Sequence, residues 1–343
     1  MDTKKIGQQT VCFASPPSIA GFGSAVGKKE GQGPLAACFD FVGTDDTFGE
    51  KSWEKAETAM QKKALAFALE TAGVTAKELD YVFAGDLLNQ CIATSYSLRT
   101  QDVPFFGLYG ACSTMAESLS LGAMLLDGGF ATYVAALTSS HFCSAERQYR
   151  NPLEYGSQKP PTAQWTATGS GAVILAKTGK GPYISHVTTG KITDKGITDA
   201  NNMGAAMAPA AYSTLQAHFR DTGRKPGFYD CIVTGDLGSL GKEIVIDFFR
   251  RDGVDLTQNY DDCGCLLFDA EGQDVHAGGS GCGCSAVVLT GYLLRQMQKG
   301  TIKNLLFCGT GALHSPTSTM QGESIPGICH AVAITTEKKG GGQ

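Results

Sequence analysis

Short, unbroken apolar runs alternate along this chain with longer stretches whose apolar and small residues recur three and four positions apart. Residues 79–85, 131–137, 171–175, 229–235, 303–308 and 327–334 are the continuous runs. They read as strands buried on both faces, because a strand with one wet face would alternate polar and apolar positions. Residues 53–71, 113–126, 205–220 and 286–298 carry the wider spacing and read as helices. Glycines punctuate the pattern: Gly73, Gly128-Gly129, Gly223 and Gly300 each follow a helical stretch, where a left-handed residue ends a helix at least cost. Strands and helices in alternation predict an α/β fold whose sheets are covered on both sides.

The pattern occurs twice. Leu79-Asp80-Tyr81-Val82-Phe83-Ala84-Gly85-Asp86-Leu87 returns as Tyr229-Asp230-Cys231-Ile232-Val233-Thr234-Gly235-Asp236-Leu237, an offset of 150 that also relates Gly73 to Gly223. With gaps, the match continues from Cys112, its helix and the strand at 131–137 to Gly283-Cys284, the helix at 286–298 and the strand at 303–308. Each half then closes on an apolar strand after a glycine, at 171–175 and 327–334. A nine-residue echo at one offset predicts two copies of one αβ unit. The expected division is an N-terminal half at 1–180 carrying Cys112, a C-terminal half at 181–337 and a frayed tail at 338–343.

Composition narrows the function. The 343 residues are 42% hydrophobic with a net charge of -5, enough chain for two halves with a substantial core. Basic residues are dispersed, apart from pairs such as Lys28-Lys29, Lys62-Lys63 and Arg250-Arg251. That argues against a nucleic-acid partner. No apolar run approaches the roughly 20 residues of a membrane span, and residues 1–20 hold no secretory apolar core. A soluble chain without export signal is expected, its twelve cysteines reduced in a cytosol-like compartment.

The candidate chemistry starts at Gly110-Ala111-Cys112-Ser113-Thr114, where an apolar loop turns into a small-residue helix. A thiol in the first turn of a helix faces unpaired amides and the positive end of the macrodipole. A depressed pKa, in the range of about 3.5–7.5, is the expectation; the same amides would welcome a carboxylate. The bland reading is a buried cysteine acting as a small hydrophobe. A separate possibility is metal binding by Cys263-Gly264-Cys265 and Cys282-Gly283-Cys284, separated by 16 residues. The spacing is not that of a zinc knuckle, and the first pair precedes a strand-like Leu266-Leu267-Phe268, so structural thiols are the reading preferred.

A duplicated α/β chain with a cysteine at a helix start in one half and a glycine-rich turn in the other resembles the thiolase and ketoacyl-synthase superfamily. Within it, Pro16-Pro17, residues 30–34, 52–57 and 85–90, Gly107-Leu108-Tyr109-Gly110-Ala111-Cys112-Ser113-Thr114, Ser139-Ser140-His141, residues 145–148, Glu154-Tyr155-Gly156 and residues 278–286 are similar to the stage V sporulation protein AD family, from about residue 8 to 337. The resemblance implies a thiolase-like, duplicated αβαβα five-layered core and a homodimer. It also implies a non-enzymatic role: a subunit that binds dipicolinic acid and works with integral membrane subunits of the SpoVA channel complex, peripherally at the spore inner membrane, during dipicolinate uptake.

The residues speak to catalysis as well. Condensing enzymes need a nucleophilic cysteine, two second-half groups to move protons and hold the thioester oxygen, and an oxyanion site. Cys112 matches the first, and Gly309-Thr310-Gly311 resembles the oxyanion glycines. Where a ketoacyl synthase of the third type carries histidine in a His-Gln-Ala-Asn turn, this chain has Gly235-Asp236-Leu237-Gly238-Ser239; where the asparagine would stand it has Gly278-Gly279-Ser280-Gly281. Asp236 and Gly279 are thus the degenerate positions. Acyl transfer through Cys112, with Cys282 or Cys284 as second thiol, is the alternative. The expected ligand contacts are Cys112, Asp86, His141, Gly309, Gly311 and His314, with walls from Phe105, Phe106, Tyr109 or Phe142. No cofactor is expected; calcium is a candidate companion ion that Asp86 could hold, although that carboxylate reads equally as a cap. Arg99, Arg147 and Arg150 could pair with a carboxylate, or with Glu146, Glu154 and Asp262.

Overall fold

The computed structural model describes residues 4–149 and 159–338. Ten strands carry the architecture: β1 (Ser18–Val26), β2 (Tyr81–Gly85), β3 (Phe105–Gly107), β4 (Tyr133–Ser140), β5 (Gly169–Ala176), β6 (Tyr183–Thr188), β7 (Cys231–Thr234), β8 (Tyr260–Asp262), β9 (Asn304–Ala312) and β10 (Gly327–Thr335). Their order across the molecule is β8-β7-β9-β10-β6-β1-β5-β4-β2-β3. Each half has the same plan. β2 pairs in parallel with β3 and β4, and β4-β5-β1 continue antiparallel. In the second half β7 pairs in parallel with β8 and β9, and β9-β10-β6 continue antiparallel. The halves join where Tyr183 lies opposite Ser18, where β6 pairs with residues 10–12, and in a small parallel ladder of Trp165-Thr166 with Gly279-Ser280.

Helices cover both faces. α1 (Trp53–Ala72) lies on β1 and β5, and its counterpart α5 (Met203–Thr222) lies on β10 and β9, as the outer layers. Between the sheets run α3 (Thr114–Gly128), which touches β2 and β4 on one side and β9 and β10 on the other, and the helix that begins as α8 (Cys282–Val287). The result is helix, sheet, helix, sheet, helix, with strands β5 and β9 buried along nearly their whole length. That is why they read as unbroken apolar runs. Ser52 and Asn202 cap α1 and α5, accepting from the amides of Lys55 and Ala205. Gly73 and Gly223 end them in the left-handed region, at φ of 69° and 68°.

Three local expectations change. The helix after Cys112 begins one residue later, behind a separate 3-10 turn at Ala111–Ser113. The helix expected from 286 starts at Cys282 and passes through a π turn at Val288–Leu293 before ending at Gln298. Leu266-Leu267-Phe268 is not a strand: Cys263–Leu267 form a short helix, α7, because the carboxylate of Asp262 caps it by accepting from the Gly264 amide at 2.9 Å. No helix among the described residues is long and apolar enough to cross a membrane.

Candidate functional site

A cavity of about 400 Å³ opens where the halves meet, and Cys112 lies on its wall. The volume is in the range of small-molecule sites. Ala111 ahead of the cysteine takes a φ of 51°, which turns the chain sharply into α3. Strand β9 presses on this turn from the second half. A Cβ on Gly309 would sit 2.6 Å from that of Ala116, and one on Gly311 would sit 2.8 Å from the Gly110 carbonyl oxygen. Glycine is required there by close approach. Both residues are paired within the β9–β10 ladder and neither lines the cavity, so the oxyanion resemblance falls on a packed strand rather than a loop.

The surroundings of the thiol decide its chemistry. Cys282, at the start of α8, donates its Sγ–H to the Ala111 carbonyl oxygen at 3.1 Å and packs with Cys112 in one apolar cluster. Cys282 and the buried carboxylate of Asp236 act electrostatically on Cys112. Its pKa is pushed well above the ordinary thiol value, first by Cys282, then by burial, then by the negative charge of Asp236. The thiolate expected from the helix start is therefore overturned. The thiol sits in the preceding turn, and what touches it favours the protonated form.

Asp236 is fully buried at the end of β7. Its Oδ1 accepts from Thr310 Oγ1 at 2.8 Å, and its Oδ2 accepts from Ser280 Oγ and the Gly281 amide, each at 3.0 Å. The carboxylate thereby ties β7, β9 and the turn before α8 together. Burial raises its pKa. Gly279, the other degenerate position, offers only its carbonyl, which accepts from Gln164 Nε2 at 2.8 Å.

Asp86 and His141 are buried away from the cavity wall. Asp86 acts as a cap: Oδ1 accepts from the Leu88 amide at 2.9 Å, and Oδ2 from the amide and hydroxyl of Thr94 at 2.8 and 2.6 Å, inside α2 (Ile92–Leu98). His141 donates from Nε2 to the Asp46 carbonyl at 2.6 Å and accepts at Nδ1 from the Cys143 amide; burial lowers its pKa and keeps it neutral. His314 does line the cavity, its ring tilted against Tyr149 at 5.6 Å, and its Nδ1 is buried without a hydrogen-bond partner.

Of the aromatic walls anticipated, Tyr109 is on the cavity. Phe105 and Phe106 belong to edge strand β3, while Phe142 stacks on Trp165 at 3.8 Å. Arg147 pairs with Glu54, Arg99 lies over the Tyr96 ring, and Arg150 and Glu154 fall outside the described residues. Asp262 is a buried cap for Leu237, Gly238 and Gly264. Sequence reasoning missed Tyr149, Lys159 and Gln164, all on the wall; Lys159 and Gln164 stand in an irregular segment rich in proline and threonine that gives no periodic signal. Among the described residues no group of three His, Cys, Asp or Glu side chains is arranged to hold a metal ion, including the two Cys-X-Cys pairs.

Comparison with known proteins places this geometry. Solved structures with the same fold include a 3-oxoacyl-(acyl carrier protein) synthase III from Xanthomonas oryzae, 14% identical with a TM-score of 0.60 over 95% of this chain and 100% of the other. Cerulenin-bound OleA of Xanthomonas campestris is 14% identical, with a TM-score of 0.59 over 94% and 97%. At such identity the likeness is one of fold. Over sequence, stage V sporulation protein AD of Bacillus subtilis (strain 168) is 44% identical across 98% of this chain and 99% of its own length. The profile of the stage V sporulation protein AD family matches residues 7–335, and the chain belongs to that family.

Proposed function

We propose that this protein is a non-enzymatic binding subunit for dipicolinate, acting with integral membrane subunits of the SpoVA channel complex at the inner membrane of the developing spore, and as a homodimer. The observation that carries the reading is the setting of Cys112: a cavity of small-ligand size reaches the thiol, yet Cys282, burial and the charge of Asp236 all favour its protonated form. A condensing enzyme needs the opposite, a thiolate with a histidine to take and return its proton. An aspartate at position 236, already accepting three other hydrogen bonds, cannot supply a cationic donor.

A planar ring diacid needs flat walls and groups that meet its carboxylates. Tyr109 and Tyr149 supply aromatic surface, their hydroxyls 3.2 Å apart, and His314 and Lys159 supply nitrogen donors on the same wall. Calcium can accompany the ligand through the ligand's own oxygens. Family membership supports the sporulation setting.

The test is calorimetric titration of dipicolinate into the purified protein, with isophthalate as the analogue lacking the ring nitrogen. Saturable heat with dipicolinate, weak or absent heat with isophthalate, and loss on substituting His314→Ala are expected. No heat with dipicolinate, together with a mass increase on Cys112 after exposure to acyl-CoA, would replace this reading with acyl transfer.

A further inference from the structure

Lys159 is the one ammonium or guanidinium group among the described residues of the cavity wall. It donates to Glu146 Oε1 at 2.8 Å and to the Gln164 carbonyl at 3.2 Å. Both partners of the ion pair are only 9% exposed, and both line the cavity. The ammonium also stands 4.9 Å from the Phe142 ring and 5.1 Å from the Trp165 ring, at the rim of the stacked pair. The Gln164 carbonyl holds the charge in place on one side. Gln164 is itself fastened, its Nε2 donating to the Asp236 and Gly279 carbonyls at 2.7 and 2.8 Å. Its Oε1 remains buried without a partner.

A buried ion pair costs desolvation of both charges, and an apolar pair of the same volume is often as stable. Here the pair lies on the wall of a cavity, and the acid in it is chemically a carboxylate, the same group an acid ligand would present. We propose that Lys159 is the carboxylate anchor of this cavity and that Glu146 is its built-in competitor, which an incoming carboxylate must displace from the ammonium. The inference rests on the binding role proposed above and sharpens it to selection for charged acids: a neutral isostere cannot take the lysine from Glu146.

The exchange has a distinctive sign. Removing the anchor weakens binding, and neutralising the competitor strengthens it. The experiment titrates dipicolinate, its neutral diamide and benzoate into the wild type, Lys159→Gln, Glu146→Gln and the double variant, by calorimetry for dipicolinate and by NMR shift for the weaker probes. Lys159→Gln should weaken dipicolinate by about 10- to 100-fold, the effect of a charged hydrogen bond lost in a buried site. Glu146→Gln should tighten it by roughly tenfold, by the same reasoning. The diamide should be indifferent to both changes. The double variant, which removes both members of the buried pair together, guards against a Lys159→Gln protein that fails to fold and should bind as weakly as the single one. A folded Lys159-lacking variant that binds like the wild type, or a Glu146→Gln protein that binds no tighter, overturns the exchange. Should dipicolinate fail with the wild type, the ligand reading falls. The anchor then stands or falls on benzoate, whose shifts must grow in Glu146→Gln and vanish without Lys159.

Discussion

Asp86 and Asp236 occupy equivalent places in the two halves, each following the strand that is parallel to two neighbours, and each wholly buried. They do different work. Asp86 folds back on its own half, capping α2, and adds to the burial that raises the pKa of Glu57. Asp236 binds Ser280, Gly281 and Thr310, and its charge acts on the thiol of the opposite half. A duplicated scaffold offers two such sockets, and the one that meets Cys112 sets the chemistry of the interface. The equivalent acid in the other half is a structural cap. The lesson is that equivalence in fold does not carry over to role when one half supplies the nucleophile's position and the other supplies its surroundings.

Removing each aspartate should break the comparison most clearly. Asp86→Ala and Asp236→Ala should each cost about 3–4 kcal/mol in urea unfolding, since each strands three buried donors. Only the second should free the thiol. With Asp236→Asn, alkylation of Cys112 by iodoacetamide at pH 8 should run roughly tenfold faster, one pKa unit of relief. Equal acceleration in Asp86→Asn would show that the two sockets act alike on the cysteine.

Each half also buries an acid whose pKa rises. Burial, then Asp86, pushes Glu57 from 4.5 to about 8; burial, with Asp236 adding, pushes Asp262 from 3.8 to about 7. The folded protein holds these protons where the unfolded chain has released them. The contribution of these two groups is therefore fully present below pH 4 and falls by about 1.4 kcal/mol per unit for each group within its window, up to pH 7 for Asp262 and pH 8 for Glu57. Urea midpoints at pH 5, 7 and 9 check this. Glu57→Gln should flatten the slope between pH 5 and 8 by one group's share, and an unchanged slope would mean that Glu57 titrates normally.

Smaller effects separate the interface from the periphery. Gly309→Ala should cost about 2 kcal/mol, because its Cβ meets Ala116 at 2.6 Å and the core must give way. Gly73→Ala and Gly223→Ala should cost about 1 kcal/mol each, for the left-handed backbone alone, since a Cβ at either position meets nothing within 4 Å. Thermal unfolding of the three would rank them, and unequal costs for Gly73 and Gly223 would deny that the α1 and α5 termini are equivalent.

Much of the scaffold was legible in the chain because its signals are local. Unbroken apolar runs marked β4, β5, β9 and β10, and glycines at 73 and 223 marked the helix ends to within a residue or two. The run at 266–268 misled, since three apolar residues look alike in a strand and in the last turn of a helix; the deciding cap, Asp262, precedes them. The site was less legible. His314 was placed from its position after β9, but Asp86 and His141 look equally polar in sequence whether they face a cavity or a cap. Lys159 and Gln164 left no trace at all, being irregular residues whose neighbours, Glu146, Asp236 and Gly279, are distant in the chain.

The sequence by itself determined a repeated αβ unit, its family and the cysteine at the junction, because periodicity, duplication and motif are properties of neighbouring residues. Only the tertiary structure decided that this cysteine is a protonated thiol. Its pKa depends on Cys282, on burial and on Asp236, the two side chains being more than a hundred residues away until folding gathers them around the thiol in a medium too poorly solvated to screen them.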